Sequence, residues 1–182
     1  MSSTMIEEFD RESLLTVLNA FTRSYLYGVD VCWRNMRSTL GCAGIGEKRI
    51  YIKPKVPLEI TGLELDKGWR VSYGDALAKL RFRNPEQHFL ILPHEIGHFY
   101  DRELLPPDSF TRFIREAMQW EKLPKDIRDF SFGRLNQKGR IWHWIIVRWS
   151  IYEFRRKRGE IRRRLKEAGF ELRPPIRRAR MK

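Results

Sequence analysis

Two histidines four residues apart, at the end of an apolar run, constrain this chain more than any other feature. The segment Phe89–His98 begins with four apolar residues and ends in the pattern His-Glu-x-x-His. On a helix, residues four apart project from one face, so the imidazoles of His94 and His98 can reach one point. This spacing suits two ligands of a single Zn²⁺ ion at about 2.0–2.1 Å. The sequence predicts a helix that begins inside the protein, either at Pro93 or near Asn84–Gln87 with a kink at Pro93.

Glu95, which follows the first histidine, suggests what such a metal site would do. A carboxylate at this position can lean over the open coordination position, take a proton from an attacking water and pass it to a leaving amine. The other interpretation is an amphipathic helix with two ordinary histidines. Only four histidines occur in the chain, and two fall in the pattern. Gly97 removes a side chain beside the predicted metal, although glycine costs about 1 kcal/mol in a helix interior. We therefore favour the metal site.

A third protein ligand, which a catalytic zinc normally has, lies outside the pattern. The next histidine after His98 is His143, so a third histidine at short spacing is disfavoured and a carboxylate is expected. Glu116 is the first candidate, because a Pro-Pro break after the motif lets a second helix fold back and deliver a carboxylate. Its other interpretation is a surface glutamate paired with a neighbouring arginine.

Two residues further along the chain are alternatives for the same site. Glu153 shares a helix face with Trp142 and Trp149, an unusual position for a carboxylate without a partner. It is interpreted as one half of a buried ion pair with an arginine, as the third metal ligand, or as a residue that orients a ligand. His143 lies among tryptophans and is typical of a core histidine; its catalytic role would be to donate a hydrogen bond to a transition-state oxyanion.

The positive charge of the chain is concentrated at its C-terminal end. Residues 134–182 hold 17 Lys and Arg against 4 Asp and Glu, which accounts for the whole net charge of +13. We predict a zinc-site core over 1–133 and a helical, basic extension over 134–182 that packs on the core and ends in a flexible tail. Such asymmetry indicates an acidic partner, which is nucleic acid, an anionic membrane face or an acidic protein. We favour DNA or RNA; the other interpretation is a solubilising role or pairing with acidic residues of the neutral body. The predicted nucleic-acid-binding residues are Arg155, Arg156, Arg158, Arg162, Arg163 and Arg164.

The pattern of elements predicts an α+β fold, in which a small, mostly antiparallel sheet packs on the motif helix and the C-terminal half is helical. Residues 34–46 contain three glycines and are predicted to be turns. Strands are predicted at 29–33, 49–53 and, ambiguously, 69–73; helices are predicted at 10–27, 75–82, 110–122 and 140–168.

Composition also bears on the compartment. No apolar run approaches the roughly 18–20 residues that a membrane span needs, and the first residues are polar and acidic rather than a secretion signal. Cys32 and Cys42 do not form a Cys-x-x-Cys pair. We therefore expect a cytoplasmic protein whose cysteines are reduced, buried thiols.

The segment Asn84–His98, with its apolar lead-in and its motif, resembles the ImmA/IrrE-like metallopeptidases. In that family the third ligand is a Glu in a Glu-Ala pair on the next helix, and Glu116-Ala117 is similar to it. The resemblance covers roughly residues 28–122 and includes the strand at 49–53. It implies a gluzincin-type zinc endopeptidase with ligands His94, His98 and Glu116 and with Glu95 as catalytic base. It also implies that the substrate is a regulator, often a DNA-binding repressor.

Two alternatives remain open. Trp33–Gly41 and the strand that follows resemble SprT-type proteases, which associate with DNA, but the third histidine of those enzymes has no counterpart at a near spacing. A function of another class is a nucleic-acid-binding or virion-associated protein whose metal site is structural or inactive. That alternative depends on aromatic residues interleaved with the arginines, which are equally typical of a buried core under a solvated helix face.

Overall fold

The structure of the chain is a computed structural model that describes residues 10–37, 39–56, 59–61, 79–81, 85–100, 106–117 and 137–172. The predicted class, α+β, is confirmed. In chain order the described elements are α1 (Arg11–Arg23), β1 (Asp30–Trp33), β2 (Gly41–Gly44), β3 (Arg49–Ile52), β4 (Glu59–Thr61), β5 (Lys79–Arg81), α2 (His88–Tyr100), α3 (Phe110–Ala117) and α4 (Gln137–Glu167).

The sheet is mixed rather than mostly antiparallel. β3 lies in the centre, with β1 parallel on one side and β2 antiparallel on the other. The turn Ile45–Lys48 is too short for anything but a hairpin between β2 and β3, so those strands must run in opposite directions. Lys48 closes this turn with a positive φ of 54°. β4 and β5 form a separate antiparallel pair.

Several predicted elements differ from those observed. Residues 41–44, predicted as turns because of their glycines, form the strand β2, and residues 79–81, predicted as helix, form β5. In both places pairing with a neighbouring strand overrides local propensity. α1 ends at Arg23, before the predicted end at residue 27. The predicted strand at 69–73 and the end of the helix predicted over 110–122 lie outside the described residues.

The motif helix α2 begins at His88, so Pro93 lies inside it and is not its first residue. Proline cannot donate a hydrogen bond to the carbonyl of Phe89, four residues earlier, which weakens the helix locally. The surroundings compensate, because every residue of α2 except His98 is buried. A helix that is apolar on all sides is stabilised by the core around it rather than by its own propensity.

The hydrophobic core is a single cluster of buried side chains, with members on all four described helices and on β1 and β3. α4 supplies its largest members, Trp144 and Trp149, and packs along α2. α4 therefore contributes side chains to the core. The predicted boundary at 133 and 134 lies outside the described residues. Within the described part of the chain, no helix is long and apolar enough to cross a membrane.

Gly97 lies at a close approach between α2 and α4. A Cβ atom there would lie 2.8 Å from Cγ2 of the buried Ile146, so the glycine makes room for α4. We expect Gly97→Ala to lower the free energy of unfolding, since overpacking costs about 1–3 kcal/mol and alanine gains only about 1 kcal/mol in a helix. Urea denaturation measures the change.

The control variants make this prediction specific. In an Ile146→Ala background the obstructing methyl group is gone, and Gly97→Ala should become stabilising. Gly159 on α4 has open space at its Cβ position, so Gly159→Ala should stabilise both backgrounds by about 0.5–1 kcal/mol. If Gly97→Ala stabilises the parent protein as much as Gly159→Ala does, the packing account is wrong.

Candidate metal centre

His94 and His98 point their outer ring nitrogens at one another. The Nε2 atoms lie 3.2 Å apart and the rings are nearly perpendicular. Two ligands on a tetrahedral zinc ion, each at about 2.0–2.1 Å, have nitrogens about 3.3–3.4 Å apart. His94 is buried and His98 is partly exposed. The contact is a hydrogen bond between the two rings, and its length is also close to the separation of two zinc ligands. Solvent reaches the pair from the side of His98.

Glu95 is buried beside β2. A Cβ atom added to Gly41 would lie 3.0 Å from both Cγ and Oε1 of Glu95, and 2.8 Å from Cγ2 of Ile91. Partial desolvation raises the pKa of the neighbouring, largely exposed Cys42 thiol, and the charge of Glu95 raises it further. The absence of a side chain at Gly41 thus allows the strand to lie directly against the carboxylate that follows the first histidine.

For the peptide hydrolysis that the sequence predicts, Gly41→Ala should lower turnover by about 10²-fold, the effect of a misplacement of roughly 1 Å. The new methyl group would displace the side chains of Ile91 and Glu95, and it has no contact with the histidine pair within 4 Å among its three nearest atoms. Steady-state kinetics should therefore show the lower turnover, whereas the zinc content should stay unchanged. Gly46→Ala, at a position with open space for a Cβ atom, is the matched control. Equal turnover by the two variants would contradict the prediction.

His143 lies next to this pair, brought there by α4. Its ring centroid is 5.0 Å from that of His98. His143 and Ile146 are three residues apart on one face of α4, and the same packing that sets Ile146 against Gly97 sets His143 against His98. The tryptophan beside it, Trp142, stacks on Phe110 of α3. His143 thus lies beside the histidine pair, on the side of His98.

The structure holds Glu153 in a buried ion pair. Tyr25 donates its hydroxyl proton to Oε2 at 2.5 Å, and Arg156 donates to Oε1 and Oε2 at 2.8 and 2.9 Å. Burial, and then the hydrogen bond to Glu153, raise the pKa of Tyr25 above its ordinary range. This is the ion-pair interpretation of Glu153, and three donors on one carboxylate leave it poorly suited to ligate a metal.

Glu116 lies on α3, close to the end of that helix, and its side chain is outside the described part of the structure. α3 is fixed to α4 because Trp149 Nε1 donates to Ser109 Oγ at 2.9 Å and Phe110 packs on Trp149. Among the side chains that the structure describes, no group of three His, Cys, Asp or Glu residues could hold a metal ion. The described part of the site is therefore the histidine pair with Glu95 and His143.

Several of the arginines predicted to bind nucleic acid form ion pairs within the chain. Arg158 Nη2 lies 3.0 Å from Glu86 Oε2, and Arg162 binds the other oxygen of the same carboxylate. The remaining pairs join Arg156 to Glu153, Arg163 to Glu167 and Arg164 to Glu160. Arg155 is exposed.

Glu86 is a residue that the sequence analysis missed. It is fully buried just before α2, and its two arginine partners join the start of the motif helix to the second half of α4. One signal was present in the sequence: an acidic residue directly before a buried apolar helix needs a cationic partner, and the C-terminal segment is rich in arginine.

The remaining histidine, His88, and the two cysteines are not assigned to the metal centre. His88 is buried with Nε2 3.2 Å from the carbonyl of Pro54, and burial lowers its pKa to about 4, so its ring is neutral. Cys32 and Cys42 are free thiols, in register on either side of Tyr51. The strands that carry the two cysteines are two strand spacings apart, about 9–10 Å in total, which is too far for a disulfide. Cys42 is exposed, so the expectation of a buried thiol is wrong for it.

Comparison of the chain with models of protein families, with curated proteins and with solved structures finds no match.

Proposed function

We propose that this chain is a zinc-dependent endopeptidase of the gluzincin type that hydrolyses peptide bonds in a protein substrate. The observation that carries the proposal is the 3.2 Å separation of the Nε2 atoms of His94 and His98, close to the ligand separation of a tetrahedral zinc site. Glu95 between them in sequence, buried beside β2, supplies the carboxylate that peptide hydrolysis requires.

Imidazole nitrogens and a carboxylate are the donor set of catalytic zinc sites with an open position. His94, His98 and Glu116 would hold the ion, with Glu116 reaching it from α3. When bound, Zn²⁺ would polarise the scissile carbonyl and lower the pKa of water at its open position to about 7. Glu116 belongs to the proposal because it follows from the Glu-Ala resemblance and because Glu153 is engaged by Tyr25 and Arg156.

In this proposal, two side chains carry out proton transfer and stabilisation of the oxyanion. Glu95 takes a proton from the attacking water and delivers it to the leaving amine. His143, beside His98, donates a hydrogen bond to the oxyanion that forms at the scissile carbonyl. Ion pairs and aromatic packing hold α4, and therefore His143, in place.

The sheet would position the substrate. In this proposal it packs on the active-site helix through Gly41, which places β2 beside Glu95. β2 is at the edge of the described three-stranded sheet, and an extended peptide can add to such an edge by main-chain hydrogen bonds. A peptide bound in this way would run past the catalytic carboxylate.

Zinc analysis of the full chain, purified without added metal, tests the proposal. We expect about one equivalent of zinc, as one site of this type requires, and loss of that zinc in His94→Ala and His98→Ala. Glu116→Ala should weaken zinc binding without abolishing it. The double variant Cys32→Ser, Cys42→Ser removes both thiols, which could bind zinc away from the site, and should keep the metal.

The outcomes are distinct. Less than about a tenth of an equivalent, with no rebinding of added zinc, would refute the metal centre. Full zinc retention by Glu116→Ala would refute that ligand alone. Zinc binding without cleavage of a fluorogenic peptide library would leave a structural metal site and refute the peptidase.

A further inference from the structure

Several cations in the second half of α4 differ in the direction in which their side chains point. Arg158 and Arg162 turn inward to the buried Glu86. Four other cations are exposed, and we call them the outer basic face: Arg155, Arg156, Arg163 and Lys166. The arginines predicted to bind nucleic acid are thus divided, because Arg158 and Arg162 point inward, and the surface available to a partner includes Lys166.

The outer basic face is continuous. With 3.6 residues per turn, its four members fall within an arc of about 100° on the helix, and they span about 16 Å along its axis. Arg156 remains 49% exposed although it pairs with Glu153. Arg163 is 59% exposed, and its partner Glu167 on the same helix is 63% exposed. A pair this exposed contributes little, so a stronger anion can replace Glu167.

Gly159 lies in the middle of this arc. It is exposed, and a Cβ atom there would meet nothing within 4 Å. A glycine inside a helix costs stability, and the described residues give no packing reason for it here. Its effect is an opening between cationic side chains through which an extended partner can approach the helix backbone.

We propose that the outer basic face binds the phosphate backbone of a nucleic-acid duplex. Guanidinium groups match phosphate oxygens with paired hydrogen bonds, and three of the four cations are arginines. The apolar residues of this half of α4, such as Phe154, Ile161 and Leu165, are buried in the core. The arc therefore has no apolar stripe with which to enter a membrane surface. This proposal is independent of the peptidase proposal.

The test is a titration of the full chain with a fluorescent 20-base-pair DNA duplex of arbitrary sequence at several salt concentrations. Each phosphate contact contributes about 0.9 to the slope of log affinity against log salt concentration for B-DNA. The double variant Arg163→Gln, Lys166→Gln should therefore have a slope smaller than that of the parent by about 1.8. Because the parent and the variant share the basic residues after 172, the difference between their slopes reports these two cations alone.

The control variant loses the same amount of charge on a different helix. Arg11→Gln, Arg23→Gln removes two exposed cations from α1 and should leave the slope unchanged. Gly159→Leu should fill the opening and lower the affinity about tenfold without lowering the melting temperature, because leucine favours the helix.

Four results would overturn the proposal. They are the absence of duplex binding at low salt, equal slopes for the parent and the Arg163→Gln, Lys166→Gln variant, unchanged affinity in Gly159→Leu, and displacement of the duplex by polyglutamate at equal charge concentration. The last result would assign the face to an acidic polypeptide instead.

Discussion

Glu95→Gln should lower kcat for peptide hydrolysis by about 10²–10⁴-fold, the usual contribution of a general base, and leave the zinc content unchanged. Glutamine has the shape of glutamate, so it fits beside Gly41 in the same buried space. Its amide cannot accept a proton from the attacking water. Because His94 and His98 are untouched, metal binding should persist. Stopped assays with a fluorogenic peptide, together with zinc analysis of the same preparation, measure both quantities.

Glu47→Gln is the matched control for this prediction. Glu47 is an exposed glutamate in the turn after β2, where it accepts a hydrogen bond from Tyr51. The same chemical change there should leave kcat within about twofold of the parent value, as expected of a surface substitution outside the site. If Glu95→Gln and Glu47→Gln turn over the peptide at equal rates, Glu95 is not the base.

Glu86→Ala should lower the free energy of unfolding by about 3 kcal/mol. Breaking a buried ion pair by removing one partner typically costs 3–5 kcal/mol. The lower end applies here because the side chains of Arg158 and Arg162 keep 28% and 13% of their exposure to water. The variant leaves two cations facing a carboxylate-sized space at the start of α2. Urea denaturation with a circular-dichroism signal measures the loss.

Two controls separate the buried pair from a general charge effect. Arg163→Ala breaks an exposed pair with Glu167 and should change stability by less than about 1 kcal/mol. The triple variant Glu86→Leu, Arg158→Met, Arg162→Met replaces the charged group by apolar side chains and should recover most of the loss. Equal effects of Glu86→Ala and Arg163→Ala would show that Glu86 does not anchor α2 to α4.

The elements most readily predicted from the sequence were those with long, strongly periodic patterns. The helix over 137–167, the strand at 49–52 and the N-cap of α1 by Asp10 follow from local spacing and side-chain chemistry. The missed strands β2 and β5 are short, and β2 is rich in glycine. Their strand conformation depends on hydrogen bonds to partners distant in sequence, such as that of Gly41 with Ile52, which no local pattern encodes.

The spacing of His94, Glu95 and His98 alone determined the candidate site, because one helical turn places two imidazoles on one face whatever surrounds them. Only the tertiary structure decided that Ile146 fills the space at Gly97, that His143 lies beside His98, and which arginines turn inward. Those results depend on how α2 and α4 pack. A helix has several faces that a core could bury, and contacts between segments far apart in the chain decide which of them is buried. In the same way, a buried carboxylate such as that of Glu86 must pair with cations from a distant segment.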